Sequence, residues 1–121
     1  MQRLKASFSG AAFARHRHAT YAIGVTDSGV QAFWYRGAVH ASLPGNVVVL
    51  HPDEVHDGYA GTREGFSYRI VYVEPAQVSD ACREIAGRSC ALPFVREPVV
   101  KSRRLRRLVD ASFAADLEPL A

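Results

Sequence analysis

The hydrophobic period of this sequence changes at Pro75, and the change limits the folds open to it. From Leu4 to Glu74, apolar residues alternate with polar ones in short runs separated by turn residues, the period-two signature of strands. The clearest run is Phe66 to Val73, in which Phe66, Tyr68, Ile70 and Tyr72 share one face. Tyr21, Ile23 and Val25 alternate in the same way. Thr26-Asp27-Ser28-Gly29 then reads as the turn of a hairpin whose second strand is Val30 to Arg36. In that second strand Gln31, Phe33 and Tyr35 fall on one face, Ala32 and Trp34 on the other. Pro44 and Gly45 fill the second and third positions of a type II turn, whose third residue needs positive φ. Further strands are expected at Val47 to His51 and from Val55 to Ala60. Short strands at this spacing predict a mainly β chain, an antiparallel sandwich or barrel.

Beyond Pro75 the apolar residues recur at helical spacing. Pro75 suits the first turn of a helix and Gly87 the position past its end, with Val78, Ala81, Cys82 and Ile85 on one stripe. Cys82 is expected to be buried there, and Cys82 and Cys90 to be reduced thiols. A second helix, Ser102 to Asp116, carries Leu105, Leu108, Val109, Ser112 and Phe113 on one side and Arg103, Arg106, Arg107 and Asp110 on the other. Residues 4–74 should therefore form a barrel and 75–121 a helical segment packed on it, and a chain of 121 residues suits one structural domain.

Charge excludes little until its position is read. Lysine and arginine exceed aspartate and glutamate by 15 to 12, and five of the fifteen lie between Lys101 and Arg107. The stripe of Leu105, Leu108, Val109 and Phe113 on the same helix points to packing, and Pro93 and Pro98 occupy the place where a helix-turn-helix would need its first helix. A bare nucleic-acid binder is the weakest reading. The longest aliphatic run, Val47 to Leu50, is too short for a bilayer, and the amino terminus lacks a secretory signal, so a cytoplasmic location without a membrane partner is expected.

His16 and His18, two residues apart, project from one face of an extended segment, and His56 follows on a strand that a sandwich can bring beside them. Converging imidazoles can bind a divalent metal, orient a polar ligand or satisfy one another. The segment Phe13 to Gly24, the run ending Tyr35-Arg36-Gly37, then Pro44-Gly45 and Pro52 to His56, resembles the amino-terminal effector-binding and dimerisation domain of AraC-family transcriptional regulators. The stretches Glu74 to Val78 and Leu92 to Val99 match the same pattern. The resemblance implies a cupin-like jelly-roll barrel followed by two helices. It implies a small-molecule effector in the barrel and a homodimer through the carboxy-terminal helix, with Leu105, Leu108, Val109 and Ser112 at the seam. It also implies a helix-turn-helix DNA-binding domain that these residues do not contain, so that DNA is met only through that other domain.

The candidate ligand-binding residues are His16, His18, Tyr21, Trp34, Tyr35, His56 and Tyr72, with Tyr68 as a further aromatic. Metal-binding cupins place a glutamate four or five residues after the second histidine, where this chain has Ala22 and Ile23. No cofactor or enzymatic activity is therefore expected; were a divalent metal bound, His16, His18 and His56 would hold it. Arg15, Arg17 and Arg36 are expected near the barrel mouth. The alternative is a small stand-alone metal-dependent cupin enzyme, an oxygenase or isomerase, with Glu54 or Tyr21 as acid or base.

Overall fold

A computed structural model describes residues 2–88 and 92–117 of the chain; Cys90 lies outside them. Its strands are β1 (Gln2–Phe8), β2 (Ala11–His16), β3 (Tyr21–Gly29), β4 (Gln31–Tyr35), β5 (Ala38–Ser42), β6 (Val47–Leu50), β7 (His56–Ala60), β8 (Phe66–Val73) and β9 (Val99–Val100). The helices are α1 (Pro75–Ala86) and α2 (Arg103–Leu117). Two antiparallel sheets face one another, in the orders β1-β8-β3-β6-β9 and β2-β7-β4-β5, so the expected barrel of two sheets followed by two helices is present. Among the described residues no helix is long and apolar enough to cross a membrane.

The expected hairpin between Tyr21 to Val25 and Val30 to Arg36 does not form. β3 pairs with β6 and β8, whereas β4 pairs with β5 and β7 in the opposite sheet. The presumed turn Thr26 to Gly29 is the end of β3, where the register slips between Thr26 and Ser28 before the chain crosses at Gly29 (φ 70°). A buried polar group holds the crossing: the Thr26 hydroxyl lies 2.7 Å from Ser42 Oγ and 3.0 Å from Gln31 Oε1. The hairpin that does form is β4–β5, whose central residues Arg36 (φ 52°) and Gly37 (φ 77°) both have the positive φ of a two-residue turn. The Leu43–Asn46 turn is as expected, with Gly45 at φ 89° and the Asn46 N–H donating to the Leu43 carbonyl at 3.0 Å.

The five-stranded sheet is covered on both faces. Its inner face contributes Ala22, Val48, Leu50, Phe66, Tyr68 and Ile70 to a core shared with Phe33 and Tyr35 of the other sheet. Its outer face contributes Val25, Val47, Val49 and Val71 to a second core closed by Val109 of α2. This explains why all four residues of β6 are buried, since a strand covered on both sides needs a continuous apolar run. α2 is also pinned by charge. Arg69 on β8 forms a two-pronged pair with Asp27 of β3 at 2.9 Å, reaches Asp110 of α2 at 2.8 Å, and lies over the Phe113 ring.

The two helices differ in how they pack. α1 starts and stops as predicted, with the Gln77 side chain accepting from the Glu74 N–H at 3.0 Å and Gly87 in the left-handed conformation. It buries no residue, however: Cys82 is only half-buried and Ile85 is 88% exposed. The helical segment packed on the barrel is thus chiefly α2. Arg69→Ala is expected to lower stability to urea by about 1–2 kcal/mol, with the amide protons of α2 exchanging faster than those of the sheets.

Candidate functional site

The two sheets enclose a cavity of about 420 Å³. Strand alternation makes it: β8 turns Tyr68, Ile70 and Tyr72 inward, β3 turns Ala22, and β6 turns Val48 and Leu50. Leu4, Phe8 and Phe13 from β1 and β2, with Phe33 from β4, complete the apolar wall. Gly58 on β7 is needed for this shape, because a Cβ there would collide with the Phe13 ring.

One end of the cavity is polar. The β2–β7 pairing sets His16 opposite His56, and although β2 stops at His16, His18 still reaches the same point. The ring centres lie 4.5 Å apart for His16 and His56, 4.7 Å for His16 and His18, and 5.1 Å for His18 and His56. His16 Nδ1 donates to the Ala14 carbonyl at 2.7 Å and His56 Nδ1 to the Glu54 carbonyl at 3.2 Å, an assignment made from these partners. Each Nε2 is thereby left as a lone-pair donor, and His18 donates through its own Nε2 to that of His16 at 3.1 Å. Burial, then the neighbouring imidazoles, hold the His56 pKa down at about 4 despite the Glu54 carbonyl. His18 is lowered by burial and by His16. His18 and His56 are therefore both biased toward the uncharged form.

Ligand atoms of the three imidazoles all lie within 4.8 Å of one another. The backbone-anchored Nδ1 atoms of His16 and His56 are what a metal-binding histidine requires of its outer shell, so the donor set fits a three-histidine divalent site. Ala22, at the position where metal-binding cupins carry a glutamate, lines the same cavity without a carboxylate.

Three expected ligand residues lie elsewhere. Tyr21 is on the opposite face of β3 from Ala22; it donates to the Pro93 carbonyl at 3.1 Å and sits beside the His51 ring. Trp34 faces away from the cavity beneath the Arg15 guanidinium, 4.1 Å from the ring centre. Tyr35 does point between the sheets, but it is fully buried in a polar network at their margin rather than lining the cavity. Its hydroxyl donates to Glu54 and accepts from the His51 N–H at 3.1 Å. Burial and the Glu54 bond raise the Tyr35 pKa to about 12. Arg36 pairs with Glu54 at 2.9 Å and donates to the carbonyls of Val95 and Arg96. His51 Nε2 accepts from the Val95 N–H at 3.0 Å. The network therefore straps residues 93–96, on the way to α2, across one side of the barrel. His16, His18, His56, Tyr68 and Tyr72 remain as cavity residues. Asp57 joins them unforeseen, as do Phe8 and Phe13; Phe8 and Phe13 could be found only by knowing that β1 and β2 each run along a barrel edge.

A model of the AraC-like ligand binding domain matches residues 1–117. Comparison with curated protein sequences finds no match. Among solved structures, a protein from Neisseria meningitidis superposes with a TM-score of 0.53 at 15% identity, over 60% of this chain and 72% of its own. A protein from Photorhabdus luminescens gives 0.54 at 9% identity, over 69% and 71%. The oxalate decarboxylase of Bacillus subtilis, an enzyme with Mn(II) centres, gives 0.55 at 12% identity, over 83% of this chain and 33% of that one. At these identities the likeness is one of fold, and it is a cupin-like one.

The buried, neutral state of His56 has a consequence for stability. Unfolding restores its ordinary affinity for a proton, so between pH 6.5 and about 4 the unfolded chain binds more protons than the folded one. In the presence of a chelator, stability is expected to be level above pH 6.5, to fall by up to about 3 kcal/mol as pH drops toward 4, and to lose nothing more from this source below that. Denaturant titrations across that range check it, and His56→Gln, which takes up no proton, should flatten the slope.

Proposed function

The chain belongs to the AraC-like ligand binding domain family, and from that premise we propose that it is the ligand-sensing and dimerisation module of a transcription regulator. In this reading a small metabolite fills the cavity and DNA is contacted by a separate domain. The observation that carries the reading is the double use of β3 and β8. Ala22, Ile70 and Tyr72 line the cavity, while their neighbours Ile23, Val71 and Val73 underlie α2. A ligand that shifts these strands shifts the helix lying on them, which is the minimum that coupling demands: a state the ligand prefers and a second surface that reports it.

α2 also offers a seam for a twofold partner. Val109 is only 2% exposed and belongs to the core, so it is removed from the seam expected from the sequence. Leu108 is 60% exposed, with half-buried Leu105 and Ser112 at its border and Ile23 and Val73 on the groove floor. A self-complementary contact centred on Leu108 suits an isologous dimer.

The three converging imidazoles favour a second reading, a metal-dependent cupin enzyme. His16, His18 and His56 would hold the ion, and a divalent ion supplies Lewis-acid polarisation of a bound oxygen. Against it, Glu54 is committed to Tyr35 and Arg36, and Tyr21 faces away, so neither acid–base candidate reaches the cavity.

Sedimentation velocity is expected to show a concentration-dependent dimer. Leu108→Asp should make it monomeric with an unchanged melting temperature, whereas Leu105→Asp should cost the fold itself about 2–3 kcal/mol. A wild-type chain that stays monomeric at all concentrations would remove the dimerisation role. Protein prepared without a metal-affinity tag is expected to carry well below one equivalent of zinc, iron, nickel or manganese by elemental analysis. Stoichiometric metal would shift the assignment to the enzyme reading.

A further inference from the structure

The cavity's charge and the phenol hydroxyls on its wall narrow what can enter it. None of its described lining residues is lysine or arginine, and one is acidic: Asp57, which accepts from the Trp34 backbone N–H at 2.6 Å and lies 3.9 Å from Arg15. The arginines expected at the mouth are engaged elsewhere or project outside. Arg15 covers Trp34, Arg36 binds Glu54 and the strap, and Arg17 is exposed and lines no part of the cavity. A carboxylate or phosphate entering here would give up its water for a wall without lysine or arginine that already holds an aspartate, an uncompensated burial of charge. A sugar would fare little better. It needs polar partners around its whole rim, and this cavity has aromatic and aliphatic walls, while Gln31 is tied to Thr26.

What the cavity does offer is a donor without an acceptor. Tyr68 is 1% exposed and stacks among Phe8, Phe13 and Phe66, yet its hydroxyl meets no hydrogen-bond partner among the described residues and opens on the cavity. Tyr72, two residues along the same strand face, likewise presents a hydroxyl with no described partner, its ring 5.3 Å from His18. Burial, then Tyr72, raises the Tyr68 pKa to about 12, so the phenol stays protonated and can act as a donor. No described buried side-chain polar atom lacks a partner, so the Tyr68 hydroxyl is one that the cavity itself exposes. It can donate to a ligand oxygen there, and an entering group without an acceptor would leave it unpaired at a cost.

We propose that the cavity takes an uncharged, mostly hydrocarbon molecule of one or two rings bearing a single hydroxyl or carbonyl group, and that Tyr68 selects it by donating to that oxygen. Tyr72 and His56 Nε2 supply the second bond, accepting where the ligand carries O–H. This rests on the reading of the cavity as the effector site and adds the class of effector.

The test is calorimetric titration of the chelator-treated 121-residue chain with three probes: 2-naphthol, 2-naphthoate and D-glucose. 2-Naphthol is expected to bind at least about tenfold more tightly than 2-naphthoate, with D-glucose weaker still. Tyr68→Phe should weaken 2-naphthol by about three- to tenfold while leaving the melting temperature of the free protein unchanged or higher, which a merely structural tyrosine would not do. Tighter binding of 2-naphthoate or D-glucose, or a Tyr68→Phe variant with unaltered affinity for 2-naphthol, would overturn the ligand class while leaving the sensing role standing. Binding of none of the three would overturn both.

Discussion

The structure depends on one sheet being buried on both sides. β3, β6 and β8 lie between the inner core and α2, and a strand exposes its successive residues to opposite faces, so each neighbouring pair in these strands must satisfy two environments at once. Ile70 faces the cavity and Val71 faces α2; Ala22 faces the cavity and Ile23 faces α2. A single-residue slip of β8 would exchange the two sets, bringing Arg69 into the apolar interior and Tyr68 against the helix. The register is therefore held by the requirements of both layers, and Arg69 adds a third by bridging Asp27 and Asp110 on the outer side.

Among the described residues, polar groups between the sheets gather in three places, each with a different way of meeting its hydrogen bonds. Thr26, Gln31 and Ser42 bond to one another at the corner where the chain changes sheet. Tyr35, His51, Glu54 and Arg36 close a network around the strap, in which the charges of Arg36 and Glu54 compensate each other. Burial alone would raise the Glu54 pKa, yet the bonds from Tyr35 and Arg36 leave it below the usual carboxylate value. The histidine end of the cavity is different. The Nδ1 atoms of His16 and His56 are anchored to backbone and His18 bonds to His16, but His56 Nε2 and the hydroxyls of Tyr68 and Tyr72 have no described partner. The two networks that serve the fold are closed, and the remaining one faces a cavity.

That distinction also marks what the sequence could and could not reveal. Alternation in β8 places Tyr68 and Tyr72 together with certainty, because period two admits no other arrangement, and the His-X-His spacing does the same for His16 and His18. The paired turn residues Pro44 and Gly45 specify their turn locally. What local pattern cannot supply is which of two sheets a strand joins or which of its faces looks inward. β3 and β4 are contiguous and both alternate, so they read as a hairpin, yet the partner of β4 is β5, across a turn at Arg36-Gly37. Tyr21 and Trp34 are as aromatic as Tyr68 and Tyr72; only the positions of Pro93 and of Arg15 show that they face the other way. The amphipathic stripe of α1 is as clear as that of α2, and only tertiary packing distinguishes the helix that buries Val109 from the one that leaves Ile85 in water.

The strap gives the proposed coupling a mechanical form. α2 is fixed to the five-stranded sheet through Val109 and Arg69, whereas the residues that lead into it are fixed to the β4 end of the opposite sheet, through Arg36 and Tyr35, and to His51 beyond β6. The approach is thus tied to both sheets before it reaches the helix, at Arg36 on one and at His51 and β6 on the other. A ligand wedged between the sheets cannot change their separation without changing the distance that residues 96–98 must span, because Arg36 holds the Arg96 carbonyl and the Val49 N–H and the short β9 pairing hold residues 98–100 to β6. For a ligand to act on α2 it need not touch the helix. It needs only to bind better at one sheet separation than at another, and the free energy available for signalling is that difference in affinity rather than the affinity itself.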